Sequence, residues 1–454
     1  MSEDKGKRNF VKYAVGGGIG AAAIAIGAGA IASQGGAPAP TTTTTTAPAS
    51  VGTTTSSSGT KAGYGSVGEP VDIGIGYLPY AADIITADLI KKGNLWQKYF
   101  PSGSHIEWRR FLGGTAVTNN MLADKVQIGY MGDAPSYRCM DILDSKVICL
   151  GAYEEGLIGQ TAMKKFGEPA SFLQSIVVRP DVADKYPDVA SLEGSTIGVP
   201  IGSIGHKQSM AVEQDGWELD GVDAAISAAP SGDRIYYPSH DKTVGGLIEL
   251  TGSQPGVKFG QILDIGTELQ MAQLRAGTIE LVCTWEPYIS WMEYKGIGKR
   301  LITSTDTLCQ CRTGTHFHVA SPILARNDFI EQRPDIIDGF LNAEEDAKEM
   351  MSKDPDNAAA ILHADIPEVP LEILQKDLRM MVYDGRLHPE MVAHHEKSAQ
   401  LWQDIGIYRG ERTGWSPQES ARYAYDGQFM DRVVDARKKE GKWTSEDLGI
   451  LRNW

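Results

Sequence analysis

A short segment rich in glycine carries the most distinctive chemical signal in this sequence. Gly202, Ser203, Gly205 and His206 follow an apolar run that ends at Val199, and a stretch with helical spacing comes after them. The free backbone N–H groups of a helix start, together with the helix dipole, attract anions. A serine hydroxyl and an imidazole that gains a proton near neutral pH would add two donors. The segment therefore predicts an anion cradle; the simpler alternative is a serine helix cap followed by a surface histidine.

Two segments with carboxylates bear on the charge of the ligand. Gly132 and Asp133 end a predicted strand in a tight turn, where glycine lets the backbone approach a ligand closely or Asp133 caps a helix. Trp285 and Glu286 precede a proline, and the indole offers a flat apolar wall and one N–H donor unless it is simply core. A carboxylate in the site would repel a simple anion and favour a zwitterion or an amine. These two acids therefore leave the ligand class open.

Three further residues are predicted to complete the floor of the site. Tyr77, Gly114 and Thr115 come at or after the ends of predicted strands in the first half of the chain. Tyr77 is explained equally well as part of the core. We expect closure over the ligand to exclude water and to strengthen every charge-assisted hydrogen bond.

A group of sulfur and imidazole side chains near residue 310 is a candidate metal site. Cys309, Cys311, His316 and His318 are the kinds of residue that hold zinc or copper. Their spacing matches no zinc signature. Two histidines on one face of a strand and two cysteines on a loop explain it better, so we predict neither a metal nor a cofactor.

A regular alternation of strands and helices must position these segments. Such an alternation implies two doubly wound α/β units, each with a mostly parallel sheet and helices on both faces, and ligands bind at the carboxyl ends of their strands. After residue 323 the pattern becomes helical. The predicted strands lie at 71–77, 106–108, 126–131, 147–153, 175–178, 196–199 and 280–284, and the predicted helices at 83–92, 115–124, 136–143, from 203, and at 269–276.

Three stretches of the sequence are distinctive in their order and spacing. They are IEWRRF (106–111) with GGT (113–115) and VQIGYMGDAP (126–135), SLEGSTIGVPIGSIGH (191–206), and AGTIE (276–280) with TWEPY (284–288). These stretches resemble the ABC-transporter solute-binding proteins for nitrate, bicarbonate, taurine and alkanesulfonates, and the resemblance covers roughly residues 71 to 431. It implies a two-lobed clamp of the type II periplasmic-binding-protein fold, capture of a small anion or zwitterion, and an ABC permease and ATPase as partners.

The N-terminus is predicted to place the protein outside the cytoplasmic membrane. Residues 15–32 are uncharged and apolar or glycine, follow four basic residues, and as a helix would span roughly 27 Å. We favour an uncleaved anchor. A small-x-small motif at 30–32 leaves a cleaved signal, and so a secreted protein, as the alternative. Residues 7–12 resemble a twin-arginine signal with lysine in the first position. A buried core helix is the third interpretation.

The segment order follows from these observations. Residues 34–70, dominated by Gly, Ala, Pro, Ser and Thr, have little to bury and are expected to form a stalk. We predict a signal or anchor at 1–33, the stalk at 34–70, lobe 1 at 71–172 and 305–436 with C-terminal helices, lobe 2 at 173–304 with an insertion near 230–260, and a C-terminal extension at 437–454.

Composition and missing motifs exclude several classes of function. The net charge of -15 and the lack of a basic stripe argue against binding nucleic acid. Five cysteines are too few, and odd in number, for a disulfide framework. The sequence shows no nucleophile elbow, P-loop or catalytic triad, so we predict no enzyme activity. The alternatives are a sensor that presents solute to a membrane receptor, an adhesion protein, and a thiamine-pyrimidine synthase-like enzyme, although the dense cysteine motif of those enzymes is missing.

Overall fold

The architecture is built around two five-stranded sheets. Predicted segments that lie outside the described residues include the anchor (15–32), the stalk as far as residue 62 and most of the insertion (230–260). The computed structural model describes residues 63–154, 174–187, 190–214, 217–218, 253–254, 257–303, 308–309, 315–316, 319–381, 383–387, 399, 402–403, 408–411 and 414–448.

The strands follow the predicted alternation closely. Those of the described residues are β1 (Asp72–Tyr77), β2 (His105–Arg110), β3 (Ile128–Tyr130), β4 (Ser145–Glu154), β5 (Gln174–Val178), β6 (Thr196–Val199), β7 (Trp217–Glu218), β8 (Ser253–Gln254), β9 (Gln261–Asp264), β10 (Leu281–Trp285), β11 (Lys299–Thr303), β12 (Leu308–Cys309), β13 (Thr315–His316) and β14 (Val319–Arg326).

The helices lie between these strands and after them. Those of the described residues are α1 (Thr86–Lys92), α2 (Gly114–Leu122), α3 (Asp133–Ile142), α4 (Ile204–Gln214), α5 (Thr267–Ala276), α6 (Tyr288–Tyr294), α7 (Asn327–Gln332), α8 (Pro334–Lys353), α9 (Pro355–His363), α10 (Leu371–Met380), α11 (Pro417–Ala424) and α12 (Gln428–Lys439). The helix predicted at 83–92 begins as a separate 3-10 turn, Ala82–Ile84, and the helical region predicted after residue 323 begins only once β14 has ended.

Both sheets have the same pattern of strand directions. The first has the order β2-β1-β3-β14-β4 and the second the order β11-β5-β10-β6-β9. In each sheet four strands run in one direction, while β14 in the first and β5 in the second run against both of their neighbours. The prediction of two mostly parallel sheets is therefore confirmed. We call the part around the first sheet lobe 1 and the part around the second sheet lobe 2.

Helices cover both faces of the lobe 2 sheet, which explains why its strands are apolar without alternation. Ile176 and Leu281 pack on one face together with Val212 of α4. Val177 and Val282 alternate with them and belong to a second apolar cluster on the other face. Because both faces are buried, every residue of β5 and β10 is buried, as expected for strands that lie between two helical layers.

The C-terminal helices pack on lobe 1. Phe340, Ala343 and Ala347 of α8 are buried at helical spacing, so this helix turns one apolar stripe toward the core. Beyond α12 the chain stays attached, because the backbone N–H of Ser445 donates to the carboxylate of Glu345 at 2.7 Å. None of the described helices is both long and apolar enough to cross a membrane.

Candidate functional site

A cavity of about 130 Å³ lies between the two lobes. A void of roughly 150 Å³ in another protein holds a benzene molecule, so this space fits one small solute. Each segment that lines it follows the carboxyl end of a strand, as expected for a ligand site in an α/β fold. The lining residues are Leu78, Ala81, Ile84, Leu112, Gly113, Gly114, Thr115, Gly132 and Pro135 of lobe 1, and Pro200, Ile201, Gly202, Ser203, Ile204, Gly266, Thr267, Glu268 and Trp285 of lobe 2.

Four helices begin at the wall of this cavity. Helices α2, α3 and α5 are preceded by Gly113, Gly132 and Gly266, and all three glycines line the cavity. Helix α4 follows Ser203, whose Oγ accepts the backbone N–H of His206 at 3.3 Å. The first N–H groups of a helix have no partner within the helix and carry its partial positive charge. Four such ends provide donors for an anionic group without any basic side chain.

Close packing at glycines brings two of these helix starts together. A Cβ added to Gly114 would lie 2.5 Å from Cβ of Pro135, so helix α2 can approach helix α3 only without a side chain there. A Cβ on Gly132 would lie 3.2 Å from the side chain of Ile204 in lobe 2. By contrast, a Cβ on Gly113 would have nothing within 4 Å, because this position faces open space.

The side chains of the lining are mostly uncharged. Nine of the lining residues have apolar side chains and five are glycines, so a ligand with a hydrocarbon part would be well accommodated. Thr115, Ser203 and Thr267 supply hydroxyl groups. Glu268 is the one ionisable residue that lines the cavity among the described residues.

Trp285 joins the two lobes at the cavity wall. Its indole N–H donates to the backbone carbonyl of Tyr80 in lobe 1 at 3.2 Å. The next residue in the chain, Glu286, accepts the backbone N–H of Ala82 at 3.1 Å through its own carbonyl. Because the indole N–H is engaged, Trp285 offers a ligand its ring and no donor.

His206 does not take the role expected from the sequence. It does not line the cavity, and its ring Nδ1 accepts the backbone N–H of Gly202 at 3.2 Å. Burial lowers the pKa of His206 to about 4, and nearby Asp264 opposes that shift. The expectation that this imidazole is charged near neutral pH is therefore wrong, because desolvation disfavours the charged form.

Gly205 lies behind the cradle and not on its surface. A Cβ at this position would lie 2.8 Å from the backbone oxygen of Cys283 on β10. The glycine therefore lets the first turn of α4 sit directly on the sheet, which is a packing role. Of the cradle segment predicted from the sequence, Gly202 and Ser203 reach the cavity.

Asp133 also lies outside the cavity, although it is the first residue of α3. Its Oδ2 is 2.7 Å from Nζ of Lys207 on α4, and both side chains are fully buried. Its Oδ1 accepts the backbone N–H of Ala134 at 2.7 Å. The expected effect of this carboxylate on the charge of the ligand therefore does not apply, because a lysine from the opposite lobe compensates it.

Glu286 is likewise engaged within the protein. Its Oε1 lies 2.5 Å from the guanidinium of Arg300, and its Oε2 accepts the backbone N–H of Ser290 at 2.9 Å. The side chain is fully buried and does not line the cavity. It fixes the start of α6 against β11 and contributes no charge to the ligand.

Tyr77 does not line the cavity either. It is fully buried, and its hydroxyl accepts from Nε of Arg110 at 3.0 Å and from Nζ of Lys91 at 3.1 Å. Burial raises the pKa of this phenol above its ordinary value. The side chain therefore ties β1 to β2 and α1, which agrees with the core interpretation.

The predicted site residues thus divide into two groups. Gly114, Thr115, Gly132, Ser203 and Trp285 come together around the cavity, whereas Tyr77, Asp133, Gly205, His206 and Glu286 support it from behind or lie elsewhere.

The sulfur and imidazole residues near 310 are described only in part. Cys309 and His316 lie on the short strands β12 and β13, which pair antiparallel. Cys311 and His318 lie outside the described residues. No group of three or more metal-binding side chains is found among the residues that are described.

Thr267 and Glu268, which line the cavity at the start of α5, were not predicted from the sequence. A usable signal was present, because Gly266 and these two residues come directly after the carboxyl end of β9. Strand β9 was not predicted because its four residues alternate poorly and follow a stretch of sequence without clear periodicity (230–260). Lys207 was also missed, since a lysine in a predicted helix is ordinarily exposed.

The fold is that of known binding proteins. The alkanesulfonate-binding protein of Xanthomonas axonopodis pv. citri, solved with MOPS, superposes with a TM-score of 0.51 at 14% identity, over 75% of this chain and 95% of that chain. A ligand-binding component of an ABC-type import system from Staphylococcus aureus, solved with zinc, gives 0.52 at 13% identity, over 80% of this chain and 98% of that chain. The nitrate-binding protein of Synechocystis PCC 6803 superposes with a TM-score of 0.50 at 12% identity, over 81% of this chain and 89% of that chain.

These similarities are structural. A scan against protein-family models and a search of curated proteins find no match. The solved structures include binding proteins for alkanesulfonate and for nitrate, two of the ligands of the solute-binding proteins that the sequence resembles. The chain therefore has the type II periplasmic-binding-protein fold.

Proposed function

We propose that this protein is the extracytoplasmic substrate-binding component of an ABC importer and that it captures a small organic solute with an anionic group. The observation that carries the proposal is the meeting of four helix starts, from both lobes, on one cavity. Helix starts are suited to oxyanions because they present several N–H donors and a fixed partial charge.

The rest of the lining favours an organic anion over an inorganic one. Half of the lining residues have apolar side chains, and Leu112 and Ile201 on opposite lobes are 65% and 44% exposed. Such surface gains free energy when a hydrocarbon group covers it, at about 25 cal/mol per Å². Nitrate and bicarbonate have no such group. A sulfonate or carboxylate with a short carbon chain, including a taurine-like compound, therefore fits this cavity better.

The delivery step gives this protein its expected partners and location. A captured solute would pass to an ABC permease driven by an ATPase subunit. We propose that residues 15–32 tether the protein to the outer face of the cytoplasmic membrane and that residues 34–62 form the stalk. The predicted end of the stalk at residue 70 is too late, because Arg333 of lobe 1 donates to the backbone carbonyls of Tyr64 and Glu69. If the N-terminal segment is cleaved, the same protein is secreted.

A thermal-shift screen of the full-length chain tests capture directly. The panel contains ethanesulfonate, 2-aminoethanesulfonate, propanoate, 3-aminopropanoate, nitrate and bicarbonate. An organic anion at 100 times its dissociation constant stabilises the folded protein by about 2.7 kcal/mol.

Gly113→Leu provides the matched control for this screen. A side chain at this position enters open space in the cavity, so the variant should fold normally and lose the ligand-dependent shift. If no organic compound of the panel raises the melting temperature of the parent protein, or if Gly113→Leu responds equally, the proposal is wrong.

A further inference from the structure

Glu268 lines the cavity, and its side chain is exposed. Neither an ion pair nor a hydrogen bond engages this side chain within the described part of the chain. The two cationic candidates near the start of α4, which lines the same cavity, are not available. His206 is neutral because its pKa is lowered to about 4 by burial, and Lys207 is already paired with Asp133.

The position of Glu268 divides the cavity into two electrostatic ends. As the second residue of α5 it offsets the positive end of that helix. Helices α2 and α4 have no acidic side chain in their first turn, whereas at the start of α3 the carboxylate of Asp133 already accepts the backbone N–H of Ala134. The starts of α2 and α4 are therefore left for an anionic group, while the start of α5 carries a negative charge.

The neighbourhood of Glu268 is suited to a cationic nitrogen. The ring of Trp285 lines the same cavity, and its only N–H is already given to Tyr80. An aromatic ring without a free donor attracts a cation weakly through its electron-rich face. Tyr288 packs against Trp285 with ring centroids 6.4 Å apart, and the phenol is close enough to Glu268 for the carboxylate to add to the effect of burial in raising its pKa.

We propose that Glu268 is a specificity-determining residue that binds an ammonium group, so that the preferred ligand is a zwitterion. The inference rests on the proposed function. The anionic end of the ligand lies at the starts of α2 and α4, and its cationic end lies at Glu268, in the cavity that Trp285 also lines. A solute without the nitrogen leaves the carboxylate facing an anion and binds less tightly.

Calorimetric titration with matched compounds tests the assignment. The probes are the pair 2-aminoethanesulfonate and ethanesulfonate and the pair 3-aminopropanoate and propanoate. In the parent protein the ammonium member of at least one pair should bind 10-fold or more tightly than its partner. In Glu268→Gln that preference should disappear, because the amide carries no charge while its size is nearly the same.

A second acid in an equivalent helical position provides the control. Glu372 is an exposed first-turn acid of α10, a helix as long as α5, and it does not line the cavity. Glu372→Gln should therefore keep the preference of the parent protein. If the two variants change the melting temperature equally and both keep the preference for the ammonium compound, then Glu268 only stabilises its helix.

The outcomes separate this inference from the function on which it depends. If the four probes show no binding, the proposed capture of organic anions is wrong and the role of Glu268 is wrong with it. If ethanesulfonate or propanoate binds as tightly as its amino counterpart, capture stands and the role of Glu268 is refuted. Retention of the ammonium preference by Glu268→Gln refutes it equally.

Discussion

The carboxylate of Asp133 and the ammonium group of Lys207 lie 2.7 Å apart across the boundary between the two lobes, and both are fully buried. The residue before Asp133, Gly132, lines the cavity, and so does Ile204, which lies one turn before Lys207. The same two helix starts thus provide the cavity wall and the ion pair behind it. Because the pair can form only when the lobes are together, its formation and ligand capture favour the same arrangement.

Removal of one partner of this pair should therefore weaken both folding and binding. Lys207→Met leaves a buried carboxylate without compensation, and breaking a buried pair in this way costs about 3–5 kcal/mol. We expect a loss of that size in the free energy of unfolding, measured with urea, and a lower affinity for whichever probe stabilises the parent protein.

An exposed ion pair gives the reference for that experiment. Lys353 pairs with Glu349, and the two side chains are 59% and 31% exposed. Lys353→Met should cost less than about 1 kcal/mol. The interpretation of the buried pair fails if Lys207→Met is no less stable than Lys353→Met.

The neutral state of His206 predicts a specific pH dependence of stability. Its pKa is about 4 in the folded protein, against roughly 6.5 when unfolded. Below pH 6.5 the unfolded chain binds more protons than the folded one, so the stability present above pH 6.5 is lost as the pH falls toward 4. The contribution is on the order of 3 kcal/mol.

NMR titration and urea unfolding check this prediction. The imidazole signal of His206 should remain that of the neutral ring at pH 5.5. Asn in place of His206 keeps an acceptor for the N–H of Gly202, so His206→Asn should fold and should lose this share of the acid sensitivity. A titration midpoint near 6.5 for His206 would contradict the assignment.

Ser203 is expected both to cap its helix and to bind the ligand. Its hydroxyl caps α4 and lines the cavity, so Ser203→Ala should cost roughly 1 kcal/mol in stability and also lower the affinity for an anionic probe. Ser416 caps α11 in the same way and does not line the cavity. Ser416→Ala should reduce stability and leave the affinity for the anionic probe unchanged. If Ser203 were only a cap, calorimetry would show equal affinities for the two variants.

Two adjacent glycines should respond differently to the same substitution. Gly114→Ala places a Cβ 2.5 Å from Pro135, and such overpacking typically costs 1–3 kcal/mol. Gly113→Ala meets no atom within 4 Å and should stay within about 0.5 kcal/mol of the parent protein. Unfolding in urea measures both, and equal stabilities would mean that α2 and α3 do not need their close contact.

Much of the architecture could be predicted from the sequence, because strand and helix periods are local properties. The predicted boundaries at β1 and β6, for instance, agree with the structure to within one residue. Glycine and hydroxyl residues at strand ends were also informative, since Thr115 and Ser203 reach the cavity by chain geometry alone.

The roles of the charged residues could not be predicted in the same way. A charged residue in a segment does not reveal its partner, and Lys207 is 74 positions away from Asp133. The same holds for Glu286, whose partner Arg300 follows on another strand. Because of these pairings, Asp133 and Glu286 do not line the cavity. Glu268 does line it, but it was not predicted, because the preceding strand β9 was not predicted.

A crystal structure of the complex tests the central claim most directly. The protein would be crystallised with the organic anion of the panel that gives the largest thermal shift. We predict electron density for the ligand between the lobes, with its oxyanion within hydrogen-bonding distance of backbone N–H groups at the starts of α2 and α4. A ligand bound elsewhere, with this cavity holding only water, would contradict the account.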